Sequence, residues 1–335
     1  METNGDVAVK VVPVRHVGQW IGMGFAMLGI AMLMHTLLSK IPSGARTCHT
    51  VLAIRQCHAV LNWRFGWDVI GHYITDGAIW HGLLVTLELT GLAMTVGIVL
   101  GVVVAVMRLS RSRLLSGAAW TYTWFFRGTP VYVQLLFWGF FAFLYPRLSI
   151  GIPFTNIDIV HFGTNSVLLP FRAAVIALGL NEAAYFSEIA RSGLIAVEEG
   201  QTEAATSLGM TRGQTLRLIV LPQAMRVIIP PTGNEVISML KTTSLVVVIS
   251  VVELLGAVTN IYTQTYQIMP MLLLASIVYL SVSTVLSIGQ YYLERYFARG
   301  ALRTPPPTPI QRIRRDVSGI LSKYRTKRGV QVGAT

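Results

Sequence analysis

The sequence predicts an all-α protein that crosses a membrane several times, and three observations lead there. Hydrophobic residues make up 53% of the 335-residue chain and charged residues 13%, about half the charge of an ordinary soluble domain. The apolar residues gather into runs long enough to cross the bilayer hydrocarbon, which needs about 20 residues of helix. The basic residues behind the net charge of +12 are unevenly shared among the polar segments. A soluble globule would have almost no polar coat left after burying so much apolar surface, and a disordered chain does not carry it. Two cysteines exclude a disulfide-dense scaffold and a multi-cysteine zinc site.

Taken in order, residues 1–19 are a short N-terminus and residues 20–38, with His35 their only titratable group, form a first, extra span. Ser43 and Ala45 resemble a signal-peptide cleavage site, but this apolar run exceeds the usual 7–15 residues of a signal core, and Glu2 and Asp6 precede it. A retained anchor is the better reading. Residues 39–78 form a polar loop with Trp63, Trp67 and Tyr73, which with Trp80 suit an aromatic belt at the membrane surface. Cys48 and Cys57, each followed by a histidine, either form a disulfide or are two unrelated thiols; the spacing is not that of a zinc motif.

Residues 79–107 form the second span, with Glu88 as their only charge. Its Gly97 and Gly101 suit close helix packing within one subunit. Residues 117–145 form the third, broken at Arg127-Gly128-Thr129-Pro130, and residues 171–191 the fourth, carrying Arg172, Glu182, Glu188 and Arg191. Residues 224–259 are too long for one straight span, at about 54 Å against about 30 Å of hydrocarbon. Pro230-Pro231 is expected to divide them into a surface piece and a spanning piece. Residues 269–293 form the last span. The segment 297–335 is a basic tail in which Ile310, Ile313, Val317, Ile320 and Leu321 recur at helical spacing. It is either a helix on the inner leaflet or a disordered tail.

With six spans and both termini cytoplasmic, the inner segments and their flanks hold 20 of the 27 Lys and Arg residues; six lie outside, and Lys241 lies within a span. This is the asymmetry that orients a multi-pass protein in a cell membrane. The basic excess is therefore assigned to topology and anionic lipid, and no nucleic-acid partner is expected.

The long inward loop, residues 192–223, contains the most specific signal. A short helix over Thr202–Leu208, capped by Thr202 or Gln201 and ended by Gly209, is followed by a second over Arg212–Val220 that stops at Pro222. Such a two-helix hairpin with an alanine face is a docking element. Glu203-Ala204-Ala205, Gly209, Ile219, Leu221 and Pro222 match the pattern EAA-x3-G-x9-I-x-LP at every specified position. In this the chain resembles the membrane permeases of ABC importers. Phe126-Arg127-Gly128-Thr129-Pro130, the run Gly179 to Tyr185, and Leu221 to Leu245 are similar to the branch that takes up polar amino acids.

The resemblance covers residues 79–296, with the EAA loop at about 196–223. It implies a five-helix importer core, to which residues 20–38 add one helix. It also implies a dimer with a second copy or a related permease, a dimeric cytoplasmic ATPase, an extracytoplasmic amino-acid-binding protein, and alternating access. The EAA helix would sit in a groove of the ATPase, with Glu203 pairing a basic groove residue. The chain binds no cofactor and is not an enzyme on this reading. No lysine follows a glycine, so there is no P-loop, and ATP and Mg belong to the partner.

Polar residues inside the spans are candidates for the substrate path: Glu88, Glu182, Asn234, Lys241, Thr242 and Ser244. For Glu182, Glu188 and Glu235 the alternative is pairing with arginines at span ends, such as Arg191 or Arg172; Lys241 alternatively snorkels. Among other classes of function, a secondary transporter of amino acids without an ATPase is the alternative. It would be equally apolar, but no internal repeat is evident and the EAA loop would have no role.

Overall fold

A computed structural model describes residues 25, 27–32, 34–35, 48–51, 54–57, 66–151, 158–164 and 168–297. Residues 1–19 and the basic tail from 298, including its expected inner-leaflet helix, lie outside them. Within the expected extra span, the described residues 25, 27–32 and 34–35 are helical. The contacts divide the chain into two units: Met1–Asp76 with Ile261–Leu274, and Gly77–Asn260 with Ala275–Thr335.

In the first unit, β1 (Cys48–Val51) and β2 (Ile54–Cys57) form an antiparallel hairpin whose register sets Cys48 directly across from Cys57. Helix α1 (Trp67–Tyr73) follows, with Asp68 in its first turn and His72 in its last, each suited to the helix dipole there.

The second unit is built on α2 (Gly77–Arg108). Then come α3 (Arg113–Gly128), α4 (Val131–Gly139) and α5 (Phe141–Leu144). A second hairpin, β3 (Arg147–Gly151) with β4 (Asp158–Gly163), departs from the all-α expectation, as β1–β2 does. Both hairpins are short and lie in polar connections, where the hydropathy that revealed the spans has no signal. Helix α6 (Pro170–Ile195) lies against α2, the two making the main helix pair of the unit.

Small residues allow that approach. A Cβ added at Gly97 would lie 2.7 Å from Glu182 Cβ, and one at Gly179 would lie 2.7 Å from Val96 Cγ1. Ala173, Ala174, Ala177, Ala183 and Ala184 on α6 are fully buried. Ala173, Ala174 and Ala177, with Leu89, Leu135, Leu178 and Val246, belong to the apolar centre of the unit.

The remaining elements are α7 (Glu199–Ser207), α8 (Arg212–Thr215), a π-helical turn (Leu216–Val220), α9 (Leu221–Thr242), a 3-10 segment (Thr243–Ile249), α10 (Leu254–Thr265) and α11 (Ile268–Phe297).

Two expectations about proline are corrected by the structure. Pro222 does not stop a helix but stands in the first turn of α9, which continues directly from a π-helical turn. The turn before it widens, so that Leu221 N donates to Leu216 O, five residues back. Pro230 and Pro231 do not break α9 either. The Thr232 hydroxyl donates to Ile228 O (2.7 Å), and Gln290 Nε2 of α11 donates to Pro230 O (3.2 Å), although the carbonyls that the two prolines leave without a helical donor are those of Arg226 and Val227. The break comes later, at Ser250 to Glu253. Among the described residues, α2 and α11 are long and apolar enough to cross a membrane, and the bent pair Arg212–Ile249 with Leu254–Thr265 makes a third candidate. The expected third span is two pieces parted at Thr129-Pro130, and α6 carries four charges.

Candidate coupling hairpin and intramembrane cavity

The hairpin starts with α7. It begins at Glu199, three residues before the expected start, and Glu198 at its N-cap makes no side-chain bond. Thr202 and Gln201 therefore lie inside the helix. Glu199 supplies a carboxylate to the first turn, which favours initiation there. The other end is closed by a Schellman motif: Gly209 N donates to Thr206 O (2.9 Å) and Met210 N to Ala205 O (3.1 Å). The motif requires the left-handed region at Gly209, whose φ is 77°. A Cβ there would touch nothing within 4 Å, so glycine is needed for conformation and not for space.

The return arm opens with a capping box. Gln214 N donates to Thr211 Oγ1 (3.4 Å), and Thr211 N donates to Gln214 Oε1 (2.8 Å). Gln223 Nε2 then donates to Gln201 Oε1 across the arms (3.3 Å).

The seven motif residues thus divide by task. Ala205 is buried and Ile219 half-buried, and Gly209 makes the turn. Glu203, Ala204, Leu221 and Pro222 are exposed. Beside them stands Leu208, 82% exposed at the tip, which the motif leaves unspecified.

A second feature lies deeper. Pro130 ends α3 and leaves the Phe126 carbonyl free of a helical partner. Gln134 Nε2 (2.9 Å) and Asn181 Nδ2 (3.0 Å) both donate to it, and Asn181 also donates to Gln134 Oε1 (3.2 Å). The break opens a cavity of about 570 Å³ lined by Arg127, Asn181, Glu182, Tyr185, Glu235 and Thr242, among others. Arg127 Cζ lies 5.2 Å from the Tyr185 ring centroid, a cation–π distance. Glu182 is 3% exposed, and its Oε1 has no hydrogen-bond partner among the described residues. A buried polar atom left so is costly unless something else meets it.

Of the six path candidates, the cavity gathers Glu182 and Thr242. Glu88 and Lys241 are exposed on their helices, Ser244 Oγ donates to Lys241 O (2.7 Å), and Asn234 Oδ1 accepts from Gln290 Nε2 (3.1 Å). Glu188 does pair with arginines, Arg191 at 2.9 Å and also Arg108 at 3.3 Å on α2. Arg127, Asn181 and Glu235 were not on the path list. Their signal was an arginine at a Gly-Thr-Pro break and an Asn-Glu pair in an alanine-rich helix.

Residues 97–299 match the family described as binding-protein-dependent transport system inner membrane component. The chain belongs to that family. The permease is 45% identical over 297 residues to the arginine transport system permease protein ArgU of Corynebacterium glutamicum, covering 88% of this chain and 85% of that protein. It is 36% identical over 216 residues to the histidine/lysine/arginine/ornithine transport system permease protein HisM of Escherichia coli K12, covering 63% and 85%. Among solved structures, that of an amino acid ABC transporter with histidines matches with a TM-score of 0.57 at 33% identity, covering 69% of this chain and 97% of the other. An inward-facing MetNI methionine ABC transporter, with a TM-score of 0.51 at 19% identity and coverage of 67% and 98%, shares the fold.

Proposed function

We propose that this permease carries a polar amino acid into the cell by alternating access, driven by a separate ATPase that docks on the Glu199–Val220 hairpin. The observation that carries the reading is the hairpin's division of labour. A Schellman turn and a capping box make it rigid, while Glu203 and Leu208 face outward, free to meet a groove. From Arg212 the return arm runs on to Ile249 without a break, roughly 55 Å at about 1.5 Å per residue. Motion imposed at the hairpin therefore reaches the cavity wall, to which Glu235 and Thr242 belong.

The cavity suits a zwitterion. Arg127 offers a cation for a carboxylate, and Glu182 and Glu235 offer acceptors for an ammonium. The related permeases are named for arginine and for histidine, lysine, arginine and ornithine, which supports an amino acid as cargo. On this reading the working assembly holds a second copy or a related permease, an ATPase dimer with ATP and Mg, and an extracytoplasmic binding protein. Thr242 and Glu182 touch substrate; Glu88, Asn234, Lys241 and Ser244, which do not line the cavity, serve other stages of the path.

The test is uptake of labelled amino acids by proteoliposomes holding the permease with its co-purified ATPase. Uptake should require ATP inside and the binding protein outside. ATP-independent uptake would refute the coupling and return the reading to a secondary transporter.

A further inference from the structure

The long rod that starts in the hairpin ends at a buried carboxylate. Past the 3-10 segment, Ser250 adopts φ 63°, and the chain stays irregular until α10 begins at Leu254. Arg212–Ile249 and Leu254–Thr265 are bent by 50° across this point. Glu253, fully buried at the bend, takes donors from three directions. Gly256 N donates to its Oε1 (2.9 Å), capping α10. Tyr279 Oη of α11 donates to its Oε2 (2.6 Å), and Thr86 Oγ1 of α2 stands 3.2 Å from the same oxygen and 3.0 Å from Gly82 O, so its one proton is shared between the two acceptors. Thr86 Oγ1 also accepts from Leu254 N (3.1 Å). The backbone approaches just as closely: a Cβ at Gly82 of α2 would lie 2.9 Å from Glu253 O.

A cap alone needs one oxygen. The second is held by hydroxyls from helices far away in sequence, inside a segment where a carboxylate is expensive. Unlike Glu182, this carboxylate does not line the cavity at Arg127 and Glu235.

We propose that Glu253 is a positioning residue: with Tyr279 and Thr86 it latches the bend to α11 and α2, and the latch couples movement of the hairpin rod to opening of the substrate path. The inference rests on the proposed docking of the hairpin on an ATPase. In the latched state the rod end is fixed to two other helices, so a push at the hairpin moves them together. Unlatched, the bend absorbs the push, and nucleotide is hydrolysed without transport. Loss of one buried hydrogen bond shifts such an equilibrium by about tenfold.

The experiment uses the reconstituted complex and reads ATP hydrolysed per labelled amino acid imported. Tyr279→Phe removes the latch and leaves the cap. Glu253→Asp keeps the cap, since Asp is a favoured N-cap residue, but withdraws the carboxylate from Tyr279 by about 1.5 Å, one C–C bond. Each should raise the ratio about tenfold, and the double variant should be no worse than either alone. A purely structural role would lower hydrolysis and uptake in proportion and leave the ratio unchanged, which would overturn the proposal; so would additive effects in the double variant. The function proposed above fails separately, if the unaltered complex imports without ATP.

Discussion

Gly209 offers the sharpest test of the hairpin. Its φ of 77° lies where a β-carbon costs about 1–2 kcal/mol. The space around it is empty to 4 Å, so a side chain adds no clash to that cost. Substitution is therefore a nearly pure measure of the turn. Alanine should lose about 1–2 kcal/mol, which lowers the ratio of formed to unformed turn about 5- to 30-fold. Valine should lose more, because a β-branched residue is a stronger outlier there. Asparagine, which tolerates the left-handed region, should lose least. The two bonds at stake are Gly209 N to Thr206 O and Met210 N to Ala205 O. Their loss frays the end of α7 that carries Leu208 and leaves the spans alone.

The assay is ATP hydrolysis by the reconstituted complex, stimulated by the binding protein, beside membrane yield as a control for insertion. Activity should fall in the order Gly, Asn, Ala, Val at constant yield. Valine as active as glycine, or asparagine as poor as valine, would refute the argument that turn conformation is what the position supplies.

The other expectations concern neighbouring parts of the same machine. Glu203→Lys leaves the exposed helix folded but reverses the charge presented to the partner; stimulated hydrolysis should drop at least about tenfold, and normal hydrolysis would remove Glu203 from the docking surface. Glu182→Gln should reduce uptake at least about tenfold while the ATPase still co-purifies, since the change lies in the cavity and not at the hairpin. Uptake equal to the unaltered permease would mean that the unmatched oxygen does not meet substrate. Gly97→Leu should lower the melting temperature in detergent, because even the first added carbon would lie 2.7 Å from Glu182 Cβ and overpacking costs about 1–3 kcal/mol. Gln134→Ala removes one of two side-chain donors to Phe126 O and should cost about 1 kcal/mol of stability, with Asn181→Ala similar and the pair more than additive as the carbonyl loses its last donor.

Local information was enough for much of this protein. Hydropathy located α2, α6 and α11 to within a few residues, since a long apolar run declares itself by composition whether it faces lipid or the protein centre. The turn of the hairpin was legible from spacing, because a Schellman turn is made by residues three to five apart, whereas the expected cap at Thr202 or Gln201 fell inside a helix that starts at Glu199. Short-range reasoning erred where a distant side chain intervened. Pro230 and Pro231 read as a break, yet α9 runs on through both, packed beside Gln290 of α11, which bonds Pro230 O. Nothing near Ser250 in the chain announced the real bend, which is held by Thr86 and Tyr279. Glu88 and Glu182 look alike as lone carboxylates in apolar helices. Their opposite fates, one exposed and one walled into a cavity behind Gly97, depend on which face of each helix meets a neighbour. A one-dimensional pattern of polar residues does not contain that choice; it is made when the helices pack.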